Sequence, residues 1–187
     1  MTWVIVKLKS SIYYGFMLLE SVHIKEDIVL LTIHVDNCIL TGSNVTLLTQ
    51  FKQKIGKVYQ ITNLGPISWL LGIKVVHGHP ARTLKLSQTA YIDSIIQRFN
   101  FDNLKPVSIP INPTMQYTKS QSPQIVTEIA CIKCVPYREA IGLLMYVVIG
   151  THPDIAFAIS TLAKFARNPG QVHWDAAKCV FQYQREQ

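Results

Sequence analysis

The sequence predicts an α+β fold, and three features of its 187 residues lead to that class. Short apolar, β-branched runs between turn residues occur in the first half, as is typical of strands in an antiparallel sheet. Helical patterns separate these runs and fill the last third of the chain. Apolar residues make up 49% and charged residues 16%, so the chain can bury a core and is not expected to be disordered.

The charge balance narrows the possible partners. The formal charge is +7, from 18 Lys and Arg against 11 Asp and Glu. Such an excess favours a polyanion, either nucleic acid or an acidic membrane surface, although it can also serve solubility alone. No run of about 18 or more apolar residues occurs, so no membrane span is expected. Four scattered cysteines do not predict a disulfide framework, and Cys131 and Cys134 lack the second ligand pair that a zinc site needs.

The first predicted element is a β-hairpin over residues 28–42. The run IVLLTIHV is followed by Asp36 and Asn37, and CILTG then resumes the strand pattern. Two Asx residues between such runs suit the positive φ angles of a two-residue turn. A carboxylate at this tip could hold a metal, but two-metal phosphoryl transfer needs several carboxylates, and Asn37 offers only a neutral oxygen. The alternative is that Asp36 and Asn37 serve the turn alone.

The elements that follow are predicted from their caps, periodicity and turn signals. Ser43 or Asn44 caps a helix over 44–59, which has a basic face. A strand with an internal glycine covers 67–76, and residues 84–87 form its hairpin partner. Further helices are predicted at 89–99, at 137–148, from residue 151, and at 172–183. Four histidines are expected in turns or at the surface: His77, His79, His152 and His173. Trp69 and Trp174 are expected to pack in the core or against a partner.

Four ordered segments resemble one protein family. They are HVDNCILTGSN at 34–44, NLGPISWLLGIKV at 63–75, LSQTAYIDSII at 86–96, and PYREAIGLLMYVVIGTHPDIAFAISTLAKFARNPGQVHWDAAKCVFQY at 136–183. Each is similar to a motif of the reverse transcriptase of copia-type LTR retrotransposons, in the same order and with similar spacing. Four ordered blocks are specific, whereas any single one would be weak.

The resemblance implies roles for the residues at the hairpin tip. Asp36 matches the first aspartate of the metal-binding pair in the polymerase palm, and it is therefore the candidate ligand for Mg²⁺. Asn37 matches the second aspartate and His34 matches the family's tyrosine, so both catalytic positions are degenerate. His152 matches an arginine of the family. The fingers and a further catalytic aspartate are expected upstream, but nothing before Ile28 resembles them, so the isolated chain is expected to be catalytically defective.

The resemblance also implies a domain organisation. Residues 1–80 correspond to a partial palm, 81–112 to a thumb-like part, 113–136 to a linker, and 137–187 to connection-like helices that lead to an RNase H domain absent from the sequence. The expected partners are an RNA/DNA primer-template and the remainder of a Pol polyprotein, with no membrane, in the cytoplasm or nucleus. Six cations are the candidates for phosphate contact: Lys52, Lys54, Lys57, Lys85, Arg98 and Lys105.

Three functional hypotheses therefore stand at the level of sequence. The first is a reverse transcriptase fragment with impaired RNA-directed DNA synthesis. The second is a non-catalytic remnant that only binds nucleic acid through the basic residues. The third is a degenerate open reading frame without a biochemical function.

Overall fold

The protein consists of helices and strands in two compact units, as seen in a computed structural model. The structure describes residues 2–8, 18–24, 27–35, 37–78 and 80–185. The units are Met1–Leu70 and Leu71–Gln187. The predicted mixture of helix and sheet is confirmed, whereas the palm, thumb and connection assignments stay predictions. The sequence placed the first boundary at residue 80, about one strand later than the division between the units.

The first unit contains a five-stranded antiparallel sheet and one long helix. The strands follow the order β2-β3-β4-β1-β5, so the hairpin of β3 and β4 lies in the interior of the sheet. A two-residue strand, β6 (Trp69–Leu70), ends the unit. The other elements are β1 (Thr2–Leu8), β2 (Leu18–Ile24), β3 (Asp27–His34), β4 (Asn37–Gly42), α1 (Val45–Val58) and β5 (Ile61–Pro66).

Helix α1 packs on this sheet by its apolar stripe. Leu48 is 2% exposed and joins a cluster with Val29, Leu31 and Leu40 from β3 and β4. Gly42 allows the close approach, because a Cβ atom there would lie 2.9 Å from the carbonyl oxygen of Ile28 and 3.3 Å from the Leu48 side chain. The helix covers one face of the hairpin and buries it.

The start of α1 is held by side-chain hydrogen bonds. The Oδ1 atom of Asn44 accepts a hydrogen bond of 2.9 Å from the backbone N–H of Thr46, which satisfies one of the unpaired donors of the first turn. Asp27 at the start of β3 then accepts bonds from Ser43 Oγ (2.7 Å) and Asn44 Nδ2 (3.1 Å). This contact fixes the helix to the end of the hairpin away from its tip.

The structure differs from the single strand predicted over residues 67–76. A two-residue turn at Leu71 and Gly72, with φ angles of +50° and +80°, separates β6 from β7 (Ile73–Gly78). Glycine adopts positive φ without steric cost, so Gly72 is a turn residue and not a strand residue. The hydroxyl of Tyr146 donates a hydrogen bond to the carbonyl oxygen of Leu71, which ties this turn to the helical part of the second unit.

The second unit combines the hairpin of β7 and β8 with a helical bundle. Its further elements are β8 (Thr83–Ser87), α2 (Thr89–Arg98), a 3-10 helix (Lys119–Gln121), α3 (Val126–Lys133), α4 (Tyr137–Gly150), a second 3-10 helix (Pro153–Ile155), α5 (Ala156–Ala163) and α6 (Gln171–Gln184). The predicted linker over 113–136 thus contains a helix. Within the described residues, no helix has the length and apolarity to cross a membrane.

An aromatic cluster forms part of the core of the second unit. Trp174 is 8% exposed and lies edge-on or tilted to Phe99 and Phe101, with ring centroids 6.3 and 5.9 Å away. Phe181 packs 5.3 Å from both phenylalanines. Of the two roles predicted for these tryptophans, Trp174 has the core role, whereas Trp69 is 47% exposed and packing of its ring against a partner stays a prediction.

Candidate nucleic-acid interface

The pairing of β3 with β4 ends at the tip of the hairpin. His34 and Asn37 are the last paired residues of the two strands. Val35, which follows β3, holds a positive φ of 56°, whereas the sequence predicted positive φ at the Asx pair. Asn37 lies in strand β4, and its neighbour Asp36 lies outside the described residues. The strand register decides the place of Asn37, because this residue is paired with His34.

The exposed side of α1 brings two of the predicted cations together. Lys54 and Lys57 are exposed and lie three residues apart, so they are neighbours on the helix, whereas Lys52 is half-buried and lies about 160° around the helix from Lys54. No acidic residue occurs between Val45 and Val58. Like charges on one helix repel each other, and a polyanion relieves that repulsion. The face with Lys54 and Lys57 is referred to below as the α1 basic face.

The β7–β8 hairpin carries a second pair of cations. Its register places Lys85 opposite Val76 and Lys74 opposite Ser87, so Lys74 and Lys85 project from the same face on diagonal positions. Both side chains are exposed. Lys85 was among the predicted cations but Lys74 was not, although the alternation of strand residues over 73–78 would have placed it on one face.

The remaining two predicted cations are less suited to phosphate contact. Arg98 forms an ion pair with Glu139, and the two side chains are 61% and 41% exposed. Its charge is therefore partly neutralised within the protein. Lys105 is exposed in the segment after α2 and joins neither basic face. The structure thus brings together Lys54 with Lys57 on α1 and, separately in the second unit, Lys74 with Lys85.

A buried glutamine joins two of the motif segments. Gln88, the last residue of the LSQ triplet, is 1% exposed. Its Nε2 donates to the backbone carbonyl of Tyr146 at 3.3 Å, and its Oε1 accepts a 2.8 Å bond from Thr151 Oγ1. A Cβ atom on Gly150 would overlap the Gln88 amide. The start of α2 is therefore fixed against the end of α4 by a residue that the sequence analysis did not select.

His173 is a structural residue of the last motif segment. It is fully buried, so the expectation of a turn or surface role is wrong. Its Nδ1 accepts a 2.8 Å hydrogen bond from the backbone N–H of Gly170, and its ring stacks 4.0 Å from that of Phe165. Burial lowers the pKa of this imidazole, and a backbone interaction with Thr118 opposes the shift in part. A neutral ring that orders the start of α6 follows from these contacts.

The fold and its exposed lysines are compatible with one class of protein, without reference to any relative. An antiparallel sheet with an interior hairpin, a helix on one face and exposed lysines is compatible with a module that handles nucleic acid. Residues 14–113 match the family described as reverse transcriptase (RNA-dependent DNA polymerase). The chain belongs to this reverse transcriptase family.

Individual relatives agree with the family. The chain is 36% identical over 161 residues to the retrovirus-related Pol polyprotein from transposon TNT 1-94 of Nicotiana tabacum, and the match covers 86% of this chain and 12% of that protein. It is 27% identical over 158 residues to the retrovirus-related Pol polyprotein from transposon RE1 of Arabidopsis thaliana, and the match covers 84% of this chain and 10% of that protein. An uncharacterized mitochondrial protein of Arabidopsis thaliana is 29% identical over 157 residues, and the match covers 82% of this chain and 60% of that protein.

These relatives confirm the resemblance to retrotransposon reverse transcriptases. The chain spans about a tenth of the two polyproteins and 60% of the mitochondrial protein. No solved structure matches this chain.

Proposed function

We propose that this segment of a retrotransposon reverse transcriptase retains contact with the backbone of a primer-template and is impaired in nucleotidyl transfer. Family membership supports nucleic acid as the partner. The α1 basic face carries the proposal, because it presents Lys54 and Lys57 and no carboxylate occurs over Val45–Val58. Lysines that neutralise phosphates release condensed counterions, and this release drives binding without regard to sequence.

The impairment rests on the chemistry of position 37. A carboxylate next to Asp36 would share the charge of divalent ions, whereas the amide of Asn37 supplies a neutral oxygen that binds Mg²⁺ more weakly. With fewer carboxylates, the developing charge on a transferred phosphate would lack part of its usual two-ion clamp.

Binding is tested by the salt dependence of affinity for a primer-template duplex. The test variant replaces Lys54 and Lys57 by glutamine, and the control variant makes the same change in net charge at two exposed lysines elsewhere, Lys119 and Lys164. We expect the steepness of log K against log salt to fall by about 2 in the test variant, since each lost phosphate contact contributes about 0.9. The control should keep its slope.

Two results would contradict the proposal. Equal slopes in the two variants would show that α1 does not contact the backbone. No binding at low salt would leave the degenerate open reading frame as the remaining hypothesis.

Catalytic impairment is tested by primer extension with Mg²⁺ or Mn²⁺, in which we expect negligible incorporation by the natural chain. The contribution of position 37 is tested by titration with Mn²⁺, and Asn37→Asp should bind the ion more tightly, because the second carboxylate is then present. The double variant Asn37→Asp with Asp36→Ala should lose that gain. Measurable incorporation by the natural chain would contradict the impairment, and equal affinity of the natural chain and Asn37→Asp for the ion would show that residue 37 does not contact it.

A further inference from the structure

Helix α4 is apolar on the side that faces away from the core of the second unit. Its sequence from Ala140 to Gly150, AIGLLMYVVIG, contains no charged residue. One side is buried and includes Leu144 and Val147, both fully covered. The opposite side is open, with Met145 42% and Ile149 78% exposed. A helix that is apolar on all sides is normally buried on all sides, so the outer side of α4 is a surface suited to a partner.

The exposed residues of α4 have the spacing of a coiled-coil seam. Four exposed residues follow one another at intervals of four, three and four positions: Arg138, Gly142, Met145 and Ile149. These intervals are those of the a and d positions of a heptad repeat, which meet a second helix. A Cβ atom added to Gly142 would meet nothing within 4 Å, so this position leaves room for a side chain of another helix. The four residues are called the α4 seam below.

The charges at the two ends of α4 complement a second α4 that runs in the opposite direction. Arg138 lies in the first turn, where the positive end of the helix dipole disfavours a cation. It forms no ion pair within the described part of the chain. The last turn contains no basic residue, so the negative end is also uncompensated. In an antiparallel pair, Arg138 of each chain lies beside the last turn of the other helix and compensates it.

The same arrangement matches the side chains of the α4 seam by size. In an antiparallel pair, the a positions of one helix face the d positions of the other. Gly142 then lies opposite Met145 of the second copy, so a large residue fills the space that a small one leaves. Arg138 lies opposite Ile149 of the second copy, and its aliphatic stem can cover that side chain while its charged group reaches the helix end. Each contact occurs twice, as in every two-fold symmetric interface.

We propose that the α4 seam joins two copies of this chain in an antiparallel, two-fold symmetric pair. The partner is a second copy, because the seam complements itself in both charge and size. A seam of four residues buries less than the roughly 1,200 Å² of a standard stable interface, so the pair is weak. A Kd of roughly 10 to 300 µM is expected. The proposal does not depend on the α1 basic face, because α4 lies in the second unit.

The association is measured by sedimentation velocity of the full chain at concentrations from about 1 to 500 µM. A reducing agent is present, so that the exposed thiol of Cys134 forms no disulfide between chains. We expect the weight-average mass to rise with concentration from that of one chain toward that of two.

Two variants test the antiparallel direction. Ile149→Lys should weaken the association by about tenfold or more, because the new lysine faces Arg138 of the second copy. The double variant Ile149→Lys with Arg138→Glu should recover about tenfold, because opposite charges then face each other at both ends of the pair. In a parallel pair each residue would face its own copy, and the double variant would recover nothing.

Val126→Lys is the matched control. Val126 is 80% exposed on α3 and lies outside the α4 seam, so this variant should associate as the natural chain does. Three results would overturn the proposal: the mass of one chain at every concentration, association unchanged in Ile149→Lys, or no recovery in the double variant. The first of these would leave the outer side of α4 to a different partner. A thermal melt shows that each variant is folded.

Discussion

Replacement of Gly170 by alanine should destabilise the second unit through one close contact. Gly170 precedes α6 with φ −101° and ψ 174°, which any residue adopts, so the substitution adds no backbone strain. The added Cβ would overlap the carbonyl oxygen of Gln121. This neighbour is backbone and cannot rotate away, unlike the end of a flexible side chain. The segment that contains the short helix Lys119–Gln121 must therefore move away from α6.

The magnitude follows from the cost of overpacking. Forcing one extra methyl group into a packed site costs about 1 to 3 kcal/mol, and a backbone neighbour places Gly170→Ala near the upper end. For a chain of 187 residues, each kcal/mol lowers Tm by about 2 to 4 °C, so a fall of roughly 6 to 12 °C is expected. The hydrogen bond from the Gly170 N–H to His173 should also lengthen.

Gly142 provides the matched control. It lies within α4, where an added Cβ meets nothing within 4 Å. Alanine there should raise stability by about 0.5 to 1 kcal/mol, because glycine loses more backbone entropy in a helix. Thermal and urea unfolding followed by the helical circular dichroism signal compares the two variants. A Tm for Gly170→Ala equal to that of the natural chain would refute the contact between residues 170 and 121.

Four further changes test other contacts, each by urea unfolding. Burial lowers the pKa of His173 in the folded state, so the unfolded state binds more protons below pH about 6.5. The free energy of unfolding should therefore fall as the pH drops below that value. His173→Asn, which keeps a hydrogen-bond acceptor, should flatten this pH dependence. Gln88→Leu should cost about 1 to 3 kcal/mol, because the Thr151 hydroxyl loses its acceptor and the Tyr146 carbonyl loses a second donor. An unchanged midpoint would contradict these bonds. Asn44→Ala should cost about 1 kcal/mol through loss of the helix cap. Val35→Asn should stabilise by a few tenths to about 1 kcal/mol, because asparagine tolerates positive φ, and a loss of stability would show that the Val35 side chain is needed.

Local patterns predicted the elements whose cause is local. The alternation of apolar residues and the Asx pair indicated the hairpin over 28–42, and Asn44 indicated the start of α1, which the structure places at Val45. The apolar pattern also predicted one strand over 67–76, because the apolar run continues through Leu71 and Gly72. The positive φ angles of Leu71 and Gly72 leave no sign in the sequence other than one glycine. A turn at this place could therefore not be distinguished from a glycine within a strand.

The candidate site was predictable in its residue types but only partly in its grouping. The helical period places Lys54 and Lys57 side by side, but it places Lys52 on another side of α1, so the three lysines do not form one face. Lys74 and Lys85 are eleven positions apart in sequence, and only the register of β7 with β8 brings them to one face. Arg98 was selected by charge, but its pairing with Glu139 depends on how α2 packs beside α4.

By itself, the sequence determined the family, the mixed class of the fold, the basic character of α1 and the presence of asparagine at position 37, because each depends on residue type or on short-range order. The tertiary structure alone decided that His173 is buried while Trp69 is exposed, that Gln88 is bonded within the protein, and that the Gln184 amide is buried without a hydrogen-bond partner among the described residues. Burial and hydrogen-bond completion depend on groups brought together from distant parts of the chain, and no local pattern of residues encodes them.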